Sequence, residues 1–253
     1  MDSGSGTQLN GLDVKTTTEN IAGKTVCIIG GTAGMGRAVA IAALAQGARV
    51  LIGGRDSEKT SRIAGEIGAT GQAIDTASET SVTAFFQAAG EIDHLVITAS
   101  SVSTGPLREL PLADAEFTFR SKFFGPYLCA KYAHIPPAGS ITFFSGILSR
   151  RPGANDAVLA GVNAAVEAMG RALARDLAPI RVNTISPGLT QGTSAFDAMP
   201  QAAREGMFQT VGARLPAGRV GTPEEIANAL LFLINTPFVT GITLDVDGGG
   251  LLA

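Results

Sequence analysis

The chain has 253 residues, a formal net charge of −3 and 16% charged residues. That length fits one large α/β domain with a sizeable core. The weak charge and scattered basic residues argue against nucleic acid or a membrane surface as a partner, so we expect a small-molecule substrate. Cys27 and Cys129 stand in apolar runs, which predicts buried thiols in a reducing cytoplasm rather than a disulfide or a metal site.

The first 20 residues lack the basic start and apolar core of a signal peptide and are interpreted as a flexible tail, which leaves 21–253 as a single domain. No stretch reaches the roughly 18 uninterrupted apolar residues of a membrane span. Beyond the tail, short apolar runs alternate with longer Ala-rich segments of helical period. This alternation predicts an α/β fold, namely a Rossmann-type, doubly wound sheet of seven parallel strands with helices on both faces.

In chain order, the predicted strands are 25–29, 50–53, 70–74, 94–98, 140–144, 181–185 and 242–246. The predicted helices are 35–46, 57–66, 79–89, 113–133, 155–177 and 223–233. Between the sixth strand and the last helix, residues 190–217 carry large apolar side chains among polar ones, which favours a lid.

A glycine-rich loop directly follows the first predicted strand and opens an Ala-rich helix. Its glycines allow a tight turn and a close approach of the backbone to a pyrophosphate, whose charge meets free amides and the positive helix end. The loop therefore predicts a dinucleotide site. Its candidate binding residues are Gly30, Thr32, Gly34, Met35, Gly36 and Arg37.

The end of the second strand indicates which dinucleotide is bound. An acidic residue there would bind the ribose 2′-hydroxyl, whereas an arginine accepts a 2′-phosphate. The chain has Gly54 at this point, followed by Arg55, and Arg37 opens the neighbouring helix. Two guanidinium groups favour NADP(H). The alternative is that Arg55 is a solvated turn residue and Asp56 a helix cap.

These motifs together resemble the short-chain dehydrogenase/reductase family over nearly all of residues 22–250. The Gly-x-x-x-Gly-x-Gly spacing, the run Arg181-Val-Asn-Thr-Ile-Ser-Pro-Gly and the run Gly221-Thr-Pro-Glu-Glu-Ile-Ala are similar to that family's motifs. The resemblance implies further cofactor contacts at the adenine and at the nicotinamide. The residues concerned are Asp75, Thr76, Ala99, Ser100, Pro187, Gly188 and Thr190.

Members of that family use a catalytic tetrad of Asn, Ser, Tyr and Lys. Counted without gaps, the tyrosine falls on Leu159, the lysine on Asn163, the serine on Gly146 and the asparagine on Lys122. All four positions are therefore replaced. A second Tyr-x-x-x-Lys match, at residues 127–131, precedes the strand that should deliver the serine and is interpreted as chance.

Other polar groups near these positions are candidates for the missing chemistry. Lys122 is a candidate acid or ribose ligand, and Asn163 a candidate ligand of a ribose hydroxyl. Ser145 and Asp156 are further catalytic candidates. The structural alternatives are a solvated or helix-paired lysine at 122 and a helix-capping acid at 156. Arg150 and Arg151 would bind an anionic substrate, or form a solvated or inter-subunit pair.

The leading hypothesis is an NADP(H)-dependent oxidoreductase with a nonstandard proton source, reducing a C=O group or an iminium-like C=N group of a small molecule. An iminium needs no proton donor, because hydride neutralises its charge. The alternatives are a noncatalytic NADP-binding sensor or partner subunit, and a nonredox lyase or cyclase on the same scaffold. The resemblance also implies a homodimer or homotetramer.

Overall fold

The centre of the molecule is a seven-stranded sheet in which every neighbouring pair of strands is parallel. The computed structural model describes residues 7–9, 12–14, 21–193 and 196–253. The sheet has the order β5-β4-β3-β6-β7-β8-β9. Its strands are β3 (Thr25–Ile29), β4 (Arg49–Gly54), β5 (Thr70–Ala73), β6 (His94–Ile97), β7 (Ser140–Phe144), β8 (Arg181–Pro187) and β9 (Thr243–Val246).

Helices cover both faces of this sheet. They are α1 (Gly34–Ala45), α2 (Ser57–Ile67), α3 (Glu79–Ala89), α4 (Leu112–Phe119), α5 (Gly125–Tyr132), α6 (Ala157–Asp176), α7 (Gln201–Gly212) and α8 (Pro223–Asn235). One buried apolar cluster lies under α1, α2 and α8, and a second lies under α3, α5 and α6. The central strands β6 and β7 are buried at every residue, because helices cover both faces of the sheet there.

The predicted Rossmann-type architecture is confirmed, and β3, β7 and α3 have the predicted bounds. The predicted helix 113–133 is interrupted, because residues Arg120–Phe124 form a π-helical turn between α4 and α5. Periodicity alone does not signal such a turn, which widens the helix by one residue without changing its composition.

Three further elements were not predicted. The predicted lid contains helix α7, whose apolar residues follow no strong helical period. The predicted tail contains β1 (Thr7–Leu9) and β2 (Leu12–Val14), which form an antiparallel pair, and the rest of that tail lies outside the described residues. By length and composition alone α6 would suffice to span a membrane. In the structure, however, it packs on β7 and β8.

Candidate functional site

The carboxyl ends of the strands meet at one edge of the sheet, where the strand order reverses between β3 and β6. In open α/β sheets such a switch point leaves a crevice for a ligand. The loops that follow β3, β6, β7 and β8 all lie at this edge, and they carry most of the predicted site residues.

The glycine-rich loop after β3 has no room for a side chain at Gly30 or Gly36. Gly30 has a φ of +96°, and a Cβ atom on Gly36 would lie 2.2 Å from the carbonyl oxygen of Gly30. Helix α1, which this loop opens, has no side-chain cap and no acidic residue in its first turn. Its first amides are therefore free to bind an anion. The backbone fits a pyrophosphate.

Across the crevice, the glycine-rich loop meets the chain that follows β8. A Cβ atom on Gly34 would lie 3.3 Å from the carbonyl oxygen of Gly192. Thr190 is buried there and donates its hydroxyl to the oxygen of Gly188 at 3.1 Å. Gly188 is itself pressed against Asp247. These contacts fix the turn after Pro187 at the predicted nicotinamide end.

At the ribose end, Arg55 is exposed and Arg37 is half-buried. Among the described residues, the buried Nε atom of Arg37 has no hydrogen-bond partner. Asp56 caps α2 by accepting a hydrogen bond from the amide of Lys59 at 2.9 Å, which agrees with the alternative interpretation of this carboxylate. The carboxylate of Asp56 is thus used to cap α2, while the guanidinium groups of Arg37 and Arg55 remain available for a phosphate.

The predicted adenine and central contacts lie along the same edge. Asp75 is exposed and accepts from the amide of Ala77 at 3.0 Å, and Thr76 packs against Gly125 of α5. Ala99 lies beside the glycine-rich loop, since a Cβ atom on Gly30 would be 2.6 Å from its amide nitrogen. Ser100 is exposed, as a ligand contact at this point requires.

Lys122 is buried, which excludes the alternative of a solvated lysine. It lies in the π-helical turn, and its Nζ atom donates to the carbonyl oxygens of Phe144 at 3.4 Å and Ser145 at 3.2 Å, at the end of β7. Burial disfavours the charged ammonium group and lowers the pKa of Lys122 to about 8. Near neutral pH this amine holds a proton that it can release easily.

Asn163 and Gly146, the positions predicted to correspond to the family's lysine and serine, lie next to each other. A Cβ atom on Gly146 would lie 3.1 Å from the amide nitrogen of Asn163, so this amide fills the space that a side chain at position 146 would need. Asn163 is only 2% exposed, and its Oδ1 atom has no partner among the described residues. The contact of Asn163 with a ribose hydroxyl stays a prediction. An asparagine side chain is shorter than a lysine side chain, so the ribose would have to lie closer to α6.

Ser145 faces a carboxylate that sequence reasoning missed. Its hydroxyl donates to Oε1 of Glu167 at 3.0 Å, and Ser149 donates to the same oxygen at 2.6 Å. Ser145 and Glu167 are both buried. The hydroxyl proton of Ser145 is therefore committed to a structural bond, which weakens its prediction as a proton donor. The sequence did carry a signal for this carboxylate. Glu167 lies four residues after Asn163, which puts both side chains on the same face of a helix.

The remaining charged candidates hold the loop after β7 in place. Asp156 stands at the N-cap position of α6, as the alternative interpretation has it, but its side chain accepts from the amide of Gly153 at 3.0 Å and makes no capping hydrogen bond to the helix. Arg150 forms a two-pronged ion pair with Asp245 of β9, and Arg151 donates to the carbonyl oxygen of Gly250. Both arginines are thus used within the chain rather than left free for an anionic substrate.

The histidines and tyrosines lie away from this loop. His94 is buried at the first residue of β6, with its Nδ1 atom 2.9 Å from the hydroxyl of Ser140, whereas the candidate site is at the other end of the strands. His134 is exposed. Tyr127 is exposed and Tyr132 donates to Glu79, which agrees with a chance Tyr-x-x-x-Lys match.

A glycine cradle at the switch point of a seven-stranded parallel sheet, with a buried amine at the end of β7, defines a dinucleotide-binding enzyme fold of the Rossmann type. The model of the family described as "Enoyl-(Acyl carrier protein) reductase" matches residues 30–250. With the relatives described next, which are named as dehydrogenases or reductases, this match shows that the chain belongs to the short-chain dehydrogenase/reductase family of oxidoreductases.

Two curated relatives illustrate the similarity. The "Short-chain dehydrogenase/reductase ATR9" of Stachybotrys chlorohalonatus is 32% identical over 92% of this chain and 98% of its own length. The "(2S)-[(R)-hydroxy(phenyl)methyl]succinyl-CoA dehydrogenase subunit BbsD" of Thauera aromatica is 34% identical over 90% of this chain and 97% of its own length.

Two solved structures show the same likeness in three dimensions. A small-chain dehydrogenase in complex with NADPH is 38% identical, covers 91% of this chain and 100% of its own, and superposes with a TM-score of 0.81. The MalC reductase/Diels-Alderase of Malbranchea aurantiaca is 26% identical, covers 94% of this chain and 100% of its own, and has a TM-score of 0.86.

Proposed function

We propose that the protein is an NADP(H)-dependent reductase that acts on the carbonyl group of a small molecule and uses Lys122 as its proton donor. The observation that carries this proposal is the buried Nζ atom at the end of β7, in a site where the usual tyrosine and lysine positions hold Leu159 and Asn163. The NADPH complex of a relative supports the choice of cofactor.

The residues fit the cofactor in three places. Gly30 and Gly36 keep the backbone close to the pyrophosphate, Arg37 and Arg55 offer guanidinium groups to a 2′-phosphate, and Gly188 and Thr190 shape the nicotinamide end. Bound NADPH supplies a hydride to the substrate carbon. The chain supplies the position, the exclusion of water and the proton.

Lys122 provides that proton. Its ammonium group is held by two backbone carbonyl oxygens, which leaves one of its three N–H groups for a substrate oxygen. Because burial lowers its pKa to about 8, the amine is protonated at neutral pH and gives up the proton at small cost. As the substrate carbon is reduced, the oxygen gains negative charge and Lys122 Nζ delivers the proton to it.

The same lysine favours C=O over C=N among the substrate classes expected from the sequence. An iminium group is a cation, and in a site of low effective dielectric constant a buried ammonium group repels it. A developing alkoxide is instead attracted. A carbonyl substrate therefore uses the charge that this site provides.

The assay is NADPH oxidation against parallel panels of ketones, aldehydes and cyclic imines. The K122M variant should lose carbonyl reduction by on the order of a hundredfold or more, the typical contribution of a general acid, while still binding NADPH. The exposed lysine at 131, ion-paired with Glu79, supplies the matched control K131M, which should keep full activity. Fast imine turnover that survives in K122M would overturn the proposed role.

A nonredox lyase or cyclase remains the second candidate, supported by the structural relative that is named both a reductase and a Diels-Alderase. Substrate conversion without any change in nicotinamide absorbance would favour it. NADPH binding without turnover on any panel would instead favour a sensor or partner subunit.

We also propose that the protein forms a homodimer or homotetramer in the cytoplasm. One exposed stripe of α6 consists of small residues, namely Ala157, Gly161, Ala164 and Ala168, which permit close helix packing. The buried free thiols of Cys27 and Cys129 suit a reducing compartment.

A further inference from the structure

The end of β4, where the cofactor's ribose is distinguished, is closed to any side chain. A Cβ atom on Gly54 would lie 2.5 Å from the hydroxyl oxygen of Thr60 and 3.0 Å from Cγ2 of Thr32. Contacts under 3.0 Å essentially never occur for real Cβ atoms. A residue other than glycine at position 54 therefore requires Thr60 to move.

Thr60 occupies the space that a side chain on Gly54 would need. It is 1% exposed, and its hydroxyl donates to the carbonyl oxygen of Asp56 at 2.6 Å, which fixes the rotamer. Its own carbonyl oxygen lies against Gly71 of β5, at 2.7 Å from where a Cβ atom would be. Helix α2 therefore packs directly on the β4–β5 face, and a side chain on Gly54 would have to break the Thr60 hydrogen bond or push the helix outward.

The packing of Thr60 against Gly54 also keeps a carboxylate out of the ribose pocket. A carboxylate at the end of this strand accepts the 2′-hydroxyl of NAD(H) and repels the 2′-phosphate of NADP(H). Because position 54 accepts only glycine, no carboxylate stands there. The charged side chains at this end of the site are then Arg37, Arg55 and Asp56, and the Asp56 carboxylate caps α2 by accepting from the amide of Lys59.

We propose that Thr60 is a positioning residue for cofactor specificity: its hydroxyl excludes an acidic side chain from position 54, and the glycine that this packing requires leaves the pocket without a carboxylate that would repel a 2′-phosphate. The inference rests on the proposed NADP(H) preference and assigns the physical cause of that preference to a residue in the second turn of α2.

Truncation of Thr60 should open the position. The hydroxyl is the atom that a Cβ on Gly54 would strike, whereas the Cβ atom of Thr60 lies at 3.7 Å, an ordinary contact. The informative set is G54D, T60A, G54D/T60A and G54D/T60V. Valine keeps the bulk of threonine and loses the hydrogen bond, so T60V separates the steric effect from the loss of that bond.

The measurements are dissociation constants for NADH and NADPH, from the fluorescence of the bound nucleotide, and the melting temperature. G54D should melt lower than the wild type and gain no NADH affinity. G54D/T60A should melt above G54D and bind NADH more tightly by on the order of tenfold, with a comparable loss for NADPH, the effect of one charge-assisted hydrogen bond. G54D/T60V should behave as G54D.

A G54D protein that gains NADH affinity with an unchanged melting temperature would overturn the inference, as would equal behaviour of the T60A and T60V double variants. Should G54D/T60A fail to fold, the uncharged pair G54A and G54A/T60A tests the same clash by melting temperature, and no rescue by T60A refutes it. Equal affinity of the wild type for both nucleotides would refute the NADP(H) preference, a result independent of the melting data.

Discussion

Replacing Lys122 by methionine removes a buried amine whose charge destabilises the folded protein. Burial lowers the pKa of Lys122 from 10.5 to about 8, so the unfolded chain binds this proton more tightly than the folded protein does between pH 8 and 10.5. Below pH 8 the folded state carries the full cost of the buried charge. As pH rises through the window, that cost is relieved and the free energy of unfolding of the wild type increases.

The size of the effect follows from the two pKa values. Each pKa unit corresponds to about 1.4 kcal/mol, so a difference of 10.5 − 8 gives about 3 kcal/mol between pH 8 and 10.5. At pH 7 the variant gains from losing the charge, but it leaves the carbonyl oxygens of Phe144 and Ser145 without this donor, a loss of about 1–3 kcal/mol. The absolute stabilities at pH 7 are therefore similar.

The assay is urea unfolding of the wild type and K122M at several pH values from 7 to 10.5. Other groups titrate in both proteins and cancel in the difference. Between pH 8 and 10.5, the free energy of unfolding of the wild type should rise relative to that of K122M by up to about 3 kcal/mol. Curves that stay parallel within about 0.5 kcal/mol would show that Lys122 has an ordinary pKa, and the reasoning that makes it an acid would fail with it.

Four further outcomes are expected. G36A should lose cofactor binding, measured by nucleotide fluorescence, because the added Cβ atom would strike a backbone oxygen at 2.2 Å. Burial lowers the pKa of His94 to about 4, so between pH 6.5 and 4 the unfolded chain binds the imidazole proton more tightly than the folded protein does. The free energy of unfolding should therefore fall as pH falls through this window, by at most about 3 kcal/mol in urea unfolding. H94Q should remove this dependence. E167A removes the carboxylate that accepts from the buried Ser145 hydroxyl and from the partly buried Ser149 hydroxyl, and it should destabilise the protein by about 1–3 kcal/mol in urea unfolding, with smaller loss in E167Q. A164R places a charge on the exposed small stripe of α6 and should reduce the mass measured by light scattering; an unchanged mass would argue against this face as the interface.

Local physics fixed much of the fold in advance. Strand β3, the glycine-rich loop and α1 follow from an apolar run, a string of glycines and an Ala-rich helical period, and all three lie as predicted. The π-helical turn around Lys122 was not predictable, because its residues suit an ordinary helix, whereas the turn packs against α6, which is distant in sequence. Helix α7 was missed for the opposite reason, since its composition carries little helical period.

The sequence by itself determined that Leu159 and Asn163 stand where an ungapped count places the family's tyrosine and lysine, and that a lysine stands at position 122, because identities and spacing need no coordinates. Only the tertiary structure decided what that lysine is. Its burial and its two carbonyl partners come from segments more than 20 residues away, and burial depends on long-range packing. Only the tertiary structure likewise showed that Thr60 leaves no room for a side chain on Gly54 and that Ser145 donates to Glu167. Both contacts form where a helix packs against the end of a strand.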